Sequence, residues 1–112
     1  MLINKTKKSI LSKDYKICKT FLSKTIGLML SFKPKTLLFV WEKEEIRDIH
    51  MFFVFFPIDI LWLDKEKRVI AIRKRVMPFS FVKINKPAQY VIESAQGMVI
   101  KTRTETQDLI RF

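Results

Sequence analysis

Apolar side chains recur along this chain in two rhythms, and the difference sorts its segments. Phe21, Leu22, Ile26, Met29 and Leu30 fall at helical spacing, so a helix is expected from about Phe21 to Leu30, capped by Thr20 or Ser23 and stopped by Pro34. Gly27 inside it costs about 1 kcal/mol relative to Ala, which a close approach of helix to sheet would offset. Leu37 to Trp41 is a compact apolar run bounded by Pro34 and the charged stretch Glu42 to Arg47, and reads as a buried strand followed by a turn. The densest apolar segment, Asp48 to Asp64, is DIHMFFVFFPIDILWLD. Its Phe, Val, Ile and Trp content favours strand, and Pro57 would cost a helix interior about 3 kcal/mol. Pro57 also lacks the N–H that a mid-sheet position needs. The segment therefore divides into a strand ending near Phe56 and a second from Ile58 to Leu63, with Pro57 at a bend, bulge or edge.

The first of these strands is apolar at both parities, with Met51, Phe53 and Phe55 on one side and Phe52, Val54 and Phe56 on the other, so both of its faces must be covered. A curled, barrel-like sheet on one face and the Phe21 to Leu30 helix on the other would do so. Asp64 to Lys67 reads as a charged hairpin loop and Val69 to Ile72 as the returning strand. Met77 to Ile84 alternates weakly until Asn85-Lys86-Pro87 breaks it. Tyr90 to Ile92 is a short strand, Gly97 opens a turn or helix, and Asp108 to Phe112 forms a last strand. Residues 1–14, polar and lysine-rich, are expected as an arm or an edge strand before a single domain over residues 15–112. The fold class is mainly β (α+β), a compact curled or barrel-like sheet with one or two short helices packed on it.

Composition narrows this picture. The chain has 112 residues, enough for one core, and ten phenylalanines to fill it. With two glycines and four prolines, its loops must be carried by charged residues rather than by glycine turns. Cys18 is the only cysteine, so no internal disulfide forms, no disulfide-linked partner is expected, and a reducing, cytoplasmic setting fits. Lysines at 5, 7, 8, 13, 16, 19 and 24 interrupt any apolar stretch that an export signal would need. Met51 to Leu63 is too short for a spanning helix of about twenty residues and contains Pro57 and Asp59, so no membrane span is expected. The net charge of +11 attracts polyanions of any kind. Residues 1–36 hold nine lysines, one acid (Asp14) and no arginine, a charge suited to nonspecific phosphate contact rather than to sequence readout.

Several segments, in this order, carry a resemblance. They are GLM at Gly27 to Met29, LLFV at Leu37 to Val40, HMFFVFFPIDILWLD at His50 to Asp64, RVIAI at Arg68 to Ile72, and YVIE at Tyr90 to Glu93 followed by Gly97. Over residues 15–112 the chain resembles domain-of-unknown-function family 192, in the form seen in archaeal members without a signal peptide. The resemblance implies a compact, mainly β fold with one or two short helices, and no activity. Met51 to Phe56 stands where an aromatic-Met-Lys-Asn-Thr pattern is common in the family, and Gln107-Asp108 where Gly-Asp is usual. The first departure removes polar groups beside Pro57.

The candidate chemistry is sparse. Gly27 and Gly97 cannot form a phosphate-cradling loop, no metal or cofactor is implied, and a histidine-based nucleophile pair would have to use Cys18 with His50. A buried thiol and a structural histidine at a strand start is the preferred reading of that pair. Asp59 shares a strand face with Leu61 and Leu63, opposite Ile58, Ile60 and Trp62, where a lone carboxylate is too costly to leave without partners. A general base is conceivable, but a structural carboxylate that holds the Pro57 bend through backbone amides or a basic side chain is preferred. Arg73, Lys74 and Arg75 follow a strand and precede Phe79 and Phe81, an interleaving of cations and aromatics that suits polyanions, single-stranded nucleic acid among them. The sequence therefore reads as a noncatalytic binding or interaction module. A nonspecific nucleic-acid binder, or an enzyme built around Asp59, is the alternative.

Overall fold

The computed structural model describes residues 1–20, 33, 35–51 and 54–112. Among them lie β1 (Leu2–Asn4), β2 (Ser9–Ser12), β3 (Lys16–Cys18), β4 (Leu37–Ile46), β5 (Ile49–His50), β6 (Ile58–Leu63), β7 (Val69–Val76), β8 (Phe81–Val82), β9 (Pro87–Ala95), α1 (Met98–Thr102) and β10 (Ile110–Arg111). A five-stranded sheet runs β3-β4-β9-β6-β7, a three-stranded sheet β10-β1-β2, and β5 pairs with β8. All pairings are antiparallel except β3 with β4. The architecture is mainly β, as the pattern indicates, but the sheets do not close into a barrel. The helix expected over Phe21 to Leu30, with Gly27, lies outside the described residues.

Strand β6 is buried at every position because the large sheet is covered on both faces. On one face Ile58, Ile60 and Trp62 join Leu37, Phe39, Val91 and Cys18 beneath Met51, Val54 and Ile84. On the other, Leu61 and Leu63 join Leu38, Val69 and Ile92 against Leu2, Leu11 and Ile110 of the small sheet and Met98 and Val99 of α1. Each such side chain gains roughly 1.5–3 kcal/mol on full burial, so the two layers rather than hairpin turns hold the sheet. Residues 1–14 do not hang free as an arm: β1 is the middle strand of the small sheet and β2 its edge. The second cover of the sheet is thus built from the two chain ends.

Two expected elements come out differently. Glu42 to Arg47 is not a turn, since β4 continues to Ile46 by pairing Glu45 with Ala88 and Ile46 with Pro87. Charged side chains are accepted there because the strand end is largely exposed. Pro87 opens β9, a strand position where its missing N–H is harmless. Of the strand expected up to Phe56, the described residues form β5 at Ile49–His50, and residues 54–56 are not in a strand, while 52 and 53 lie outside the described residues. The Met51 carbonyl accepts the amides of Val54 (3.2 Å) and Phe79 (2.8 Å). These local bonds take the groups that a ladder would use.

The charged loops behave as the shortage of glycine requires. Asp64 accepts the amides of Glu66 (2.9 Å) and Arg68 (3.0 Å) through Oδ1, and Lys67 takes the left-handed conformation with φ 67°. Lys8, Arg75, Phe79, Arg103 and Gln107 also have positive φ. At φ 76°, Gln107 stands in a conformation that costs an L-residue about 1–2 kcal/mol. Gly gives back roughly 0.5–1 kcal/mol through its freedom in the unfolded chain. Gln107→Gly keeps the amide that donates to Val69 O at 2.7 Å and is expected to gain up to about 1 kcal/mol. A lower urea midpoint in the variant would contradict this.

Candidate functional site

Asp59 is fully buried on β6 and accepts three backbone amides. Its Oδ1 accepts the amide of Arg75 at 3.0 Å, and its Oδ2 accepts those of Gly97 (3.1 Å) and Val99 (2.9 Å). The residue therefore ties three elements together: β6, the irregular end of β7, and the start of α1. Gly97 turns the chain at φ 95°, and a Cβ there would meet nothing within 4 Å, so the dihedral rather than crowding asks for glycine. The amides that Asp59 gathers belong to residues 75, 97 and 99, distant in sequence from Pro57.

Cys18 is buried on β3, whereas His50 is exposed on β5 in a different sheet. Among the described residues no group of three His, Cys, Asp or Glu side chains is placed to hold a metal ion.

Two carboxyl groups escaped the sequence reading. Glu93 is buried on the central strand β9, opposite Leu37 and Ile60, and burial pushes its carboxyl up to about 8. Its alternation with Val91 along YVIES was the available signal. Asp108 sits in a polar knot that closes the chain ends. Its Oδ2 accepts Asn4 Nδ2 at 2.9 Å, Lys7 Nζ at 2.9 Å and the Glu105 amide at 2.9 Å, and Asn4 Nδ2 also donates to Thr104 Oγ1 at 3.0 Å. Burial alone would raise Asp108, but the hydrogen bonds from Asn4, the Glu105 amide and Lys7 outweigh it and hold its carboxyl below the usual range. Contacts spanning about a hundred residues have no local sequence signature.

The exposed face at the end of β7 is chemically distinct. Arg73, Lys74 and Arg75 are exposed, and the chain then turns through Met77 and Phe79 into Phe81 of β8, these three being 58%, 55% and 54% exposed. The turn is fixed by Ser80 N–H donating to Met77 O and by Met51 N–H donating to Ser80 O. Phe55, also exposed, packs edge-to-face on Phe79 with centroids 5.9 Å apart and planes at 70°. Lys83 Nζ lies 5.6 Å from the Phe81 centroid. Met77, Phe55 and Lys83 add to the cations and aromatics legible in the sequence. They join the face through the turn at Met51 and through β8, neither of which periodicity reveals.

Comparison with known proteins places the chain. The model of the family described as "Uncharacterized ACR", domain-of-unknown-function family 192, matches residues 2–112. The UPF0127 protein TK1120 of Thermococcus kodakarensis is 36% identical over 115 residues, covering 100% of this chain and 73% of that protein. A UPF0127 protein of Thermococcus sibiricus is 35% identical over 113 residues, covering 98% and 73%. Among solved structures, a protein of unknown function from Novosphingobium aromaticivorans aligns with a TM-score of 0.81 at 17% identity, covering 88% of this chain and 74% of that one, which speaks to fold alone. Among the described residues no helix is long and apolar enough to cross a membrane. A family match across nearly the whole length, with relatives above one-third identity, makes the chain a member of domain-of-unknown-function family 192.

Proposed function

We propose that this chain is a cytoplasmic, noncatalytic binding module that holds an anionic partner on the exposed stretch that carries Arg73, Lys74, Arg75, Met77, Phe79, Phe81 and Lys83. The observation that carries the reading is the exposure of Met77, Phe79 and Phe81 in the stretch that follows that run of cations along the chain, with Lys83 Nζ 5.6 Å from the Phe81 centroid. Apolar side chains exposed together and rimmed by charge mark interaction surfaces, whereas scattered ones do not. The carboxylate that an enzyme reading would use, Asp59, is sealed by three amides. Cations bring an anionic partner to the face, and the rings and thioether supply contact area once it arrives.

The second reading, single-stranded nucleic acid, is favoured by Lys83 beside the Phe81 ring and by the net charge of +11. Such binding is expected to be nonspecific and to weaken steeply with salt, as phosphate contacts release counterions.

The test is fluorescence anisotropy of the full chain with two labelled probes, an acidic peptide of glutamate, leucine and phenylalanine and a single-stranded oligonucleotide. The double variant Phe79→Ser with Phe81→Ser should melt like the parent, because both rings are exposed. It should lose about tenfold in affinity for whichever probe binds. Binding that is unchanged in this variant would contradict the proposal.

A further inference from the structure

We infer that the partner of the β7–β8 face is an acidic protein segment carrying apolar anchor side chains, an inference that rests on the binding-module reading above. Three features of the face favour it. Phe, Met and Arg are the residue types that concentrate at the centres of protein interfaces, and Phe55, Met77, Phe79, Phe81, Arg73 and Arg75 supply all three here. The second feature is ring geometry. A base stacks on an open, flat ring face, but Phe55 and Phe79 meet edge-to-face at 70° and form one apolar knob with edges and faces mixed. Aliphatic and aromatic side chains of a peptide pack on such a knob from any direction.

The third feature is charge. In a two-fold dimer the same patch faces itself, which would bring Arg73, Lys74, Arg75 and Lys83 of one copy against those of the other. That repulsion argues against a second copy of this chain as the occupant. It rewards a partner with carboxylates around its apolar anchors, since guanidinium groups bind carboxylates in a two-point fork.

Isothermal titration of the full chain with three probes tests the inference. The first is an extended peptide alternating Glu with Leu and Phe, the second has the same length and charge with Ser in place of Leu and Phe, and the third is a single-stranded oligonucleotide of equal charge. The apolar acidic peptide is expected to bind about tenfold or more tightly than its Ser counterpart. That margin should vanish in the Phe79→Ser, Phe81→Ser variant, while Arg73→Glu with Lys74→Glu should weaken both peptides about equally, at a melting temperature near the parent's. Equal affinity for the two peptides, or tighter binding of the oligonucleotide than of either, overturns the inference and leaves the binding module standing. Failure of all three probes to bind overturns both.

Discussion

Asp59→Ala is expected to lose on the order of 3–5 kcal/mol of stability, a large part of the roughly 5–15 kcal/mol that holds a domain of this size together. The carboxylate accepts the amides of Arg75, Gly97 and Val99 where no exposed surface lets water replace it. Ala leaves the buried Val99 amide and the part-buried amides of Arg75 and Gly97 without this acceptor, and a hole beside Leu61 and Leu63. Asp59→Asn preserves shape and one acceptor oxygen, so it keeps the two amides at the Oδ2 position and loses the one from Arg75 if its amide turns that way. Its expected cost is about 1–3 kcal/mol. Urea denaturation of parent, Asn and Ala forms checks the order, and the Asn form keeps the comparison measurable if the Ala form fails to fold. Equal stability of all three would show that the β6–β7–α1 junction does not depend on this side chain.

The second large effect belongs to Glu93 and appears as a pH dependence. The unfolded chain releases the Glu93 proton around pH 4.5, whereas the folded chain holds it until about pH 8. Between those values the folded state binds more protons than the unfolded state, so stability falls as pH rises. The contribution is fully present below about pH 4.5, declines across the window and is flat above pH 8. One proton over that interval corresponds to a decline on the order of 5 kcal/mol. In Glu93→Gln, with no proton to lose, this slope should disappear, and the variant should equal or exceed the parent at pH 8. Asp108 acts with the opposite sign and in another range. Its carboxyl is held low, so its contribution is present at neutral pH and lost only in acid, as pH falls below the usual carboxylate range through its folded value. Urea midpoints of parent and Gln forms from pH 4 to pH 9 separate the two, and parallel curves would place Glu93 in a more polar site than its burial implies.

How much of this was legible depended on whether the deciding force was local. Strand β6 could be read to the residue, because Pro57 and Asp64 bound a run in which Ile58, Ile60 and Trp62 face one way and Asp59, Leu61 and Leu63 the other. The Asp64–Lys67 hairpin was equally readable, since an aspartate that accepts amides two and four residues on is local chemistry. The stretch from Asp48 to Phe56 was not, because aromatic content says that a segment is buried without saying in which conformation. At Met51, bonds to the backbone of Phe79 and Ser80 take the groups that a longer ladder would use. Strand β4 past Trp41 was missed for the converse reason: pairing with Pro87 and Ala88 holds a charged, exposed segment extended.

The candidate site divides the same way. Asp59 stood out because a single carboxylate interrupts an apolar strand, but its partners, drawn from residues 75 to 99, come from topology. Arg73, Lys74, Arg75, Phe79 and Phe81 were visible as a run. Their common exposure, and the addition of Phe55, Met77 and Lys83, required the turn that presents them. Glu93 was hidden inside a good strand pattern, and the Asn4–Asp108 knot in the meeting of the two chain ends.

If the exposed cationic and aromatic stretch at the end of β7 is the binding surface, amide chemical shifts of the full chain will report it during titration with the Glu-Leu-Phe peptide. Perturbations should concentrate on residues 73–83 and Phe55, with little change at Gly97, Val99 or the strands of the small sheet. Shifts centred elsewhere, or spread evenly over the lysines of residues 1–20, would contradict the account and return the net charge to a diffuse attraction for anything acidic.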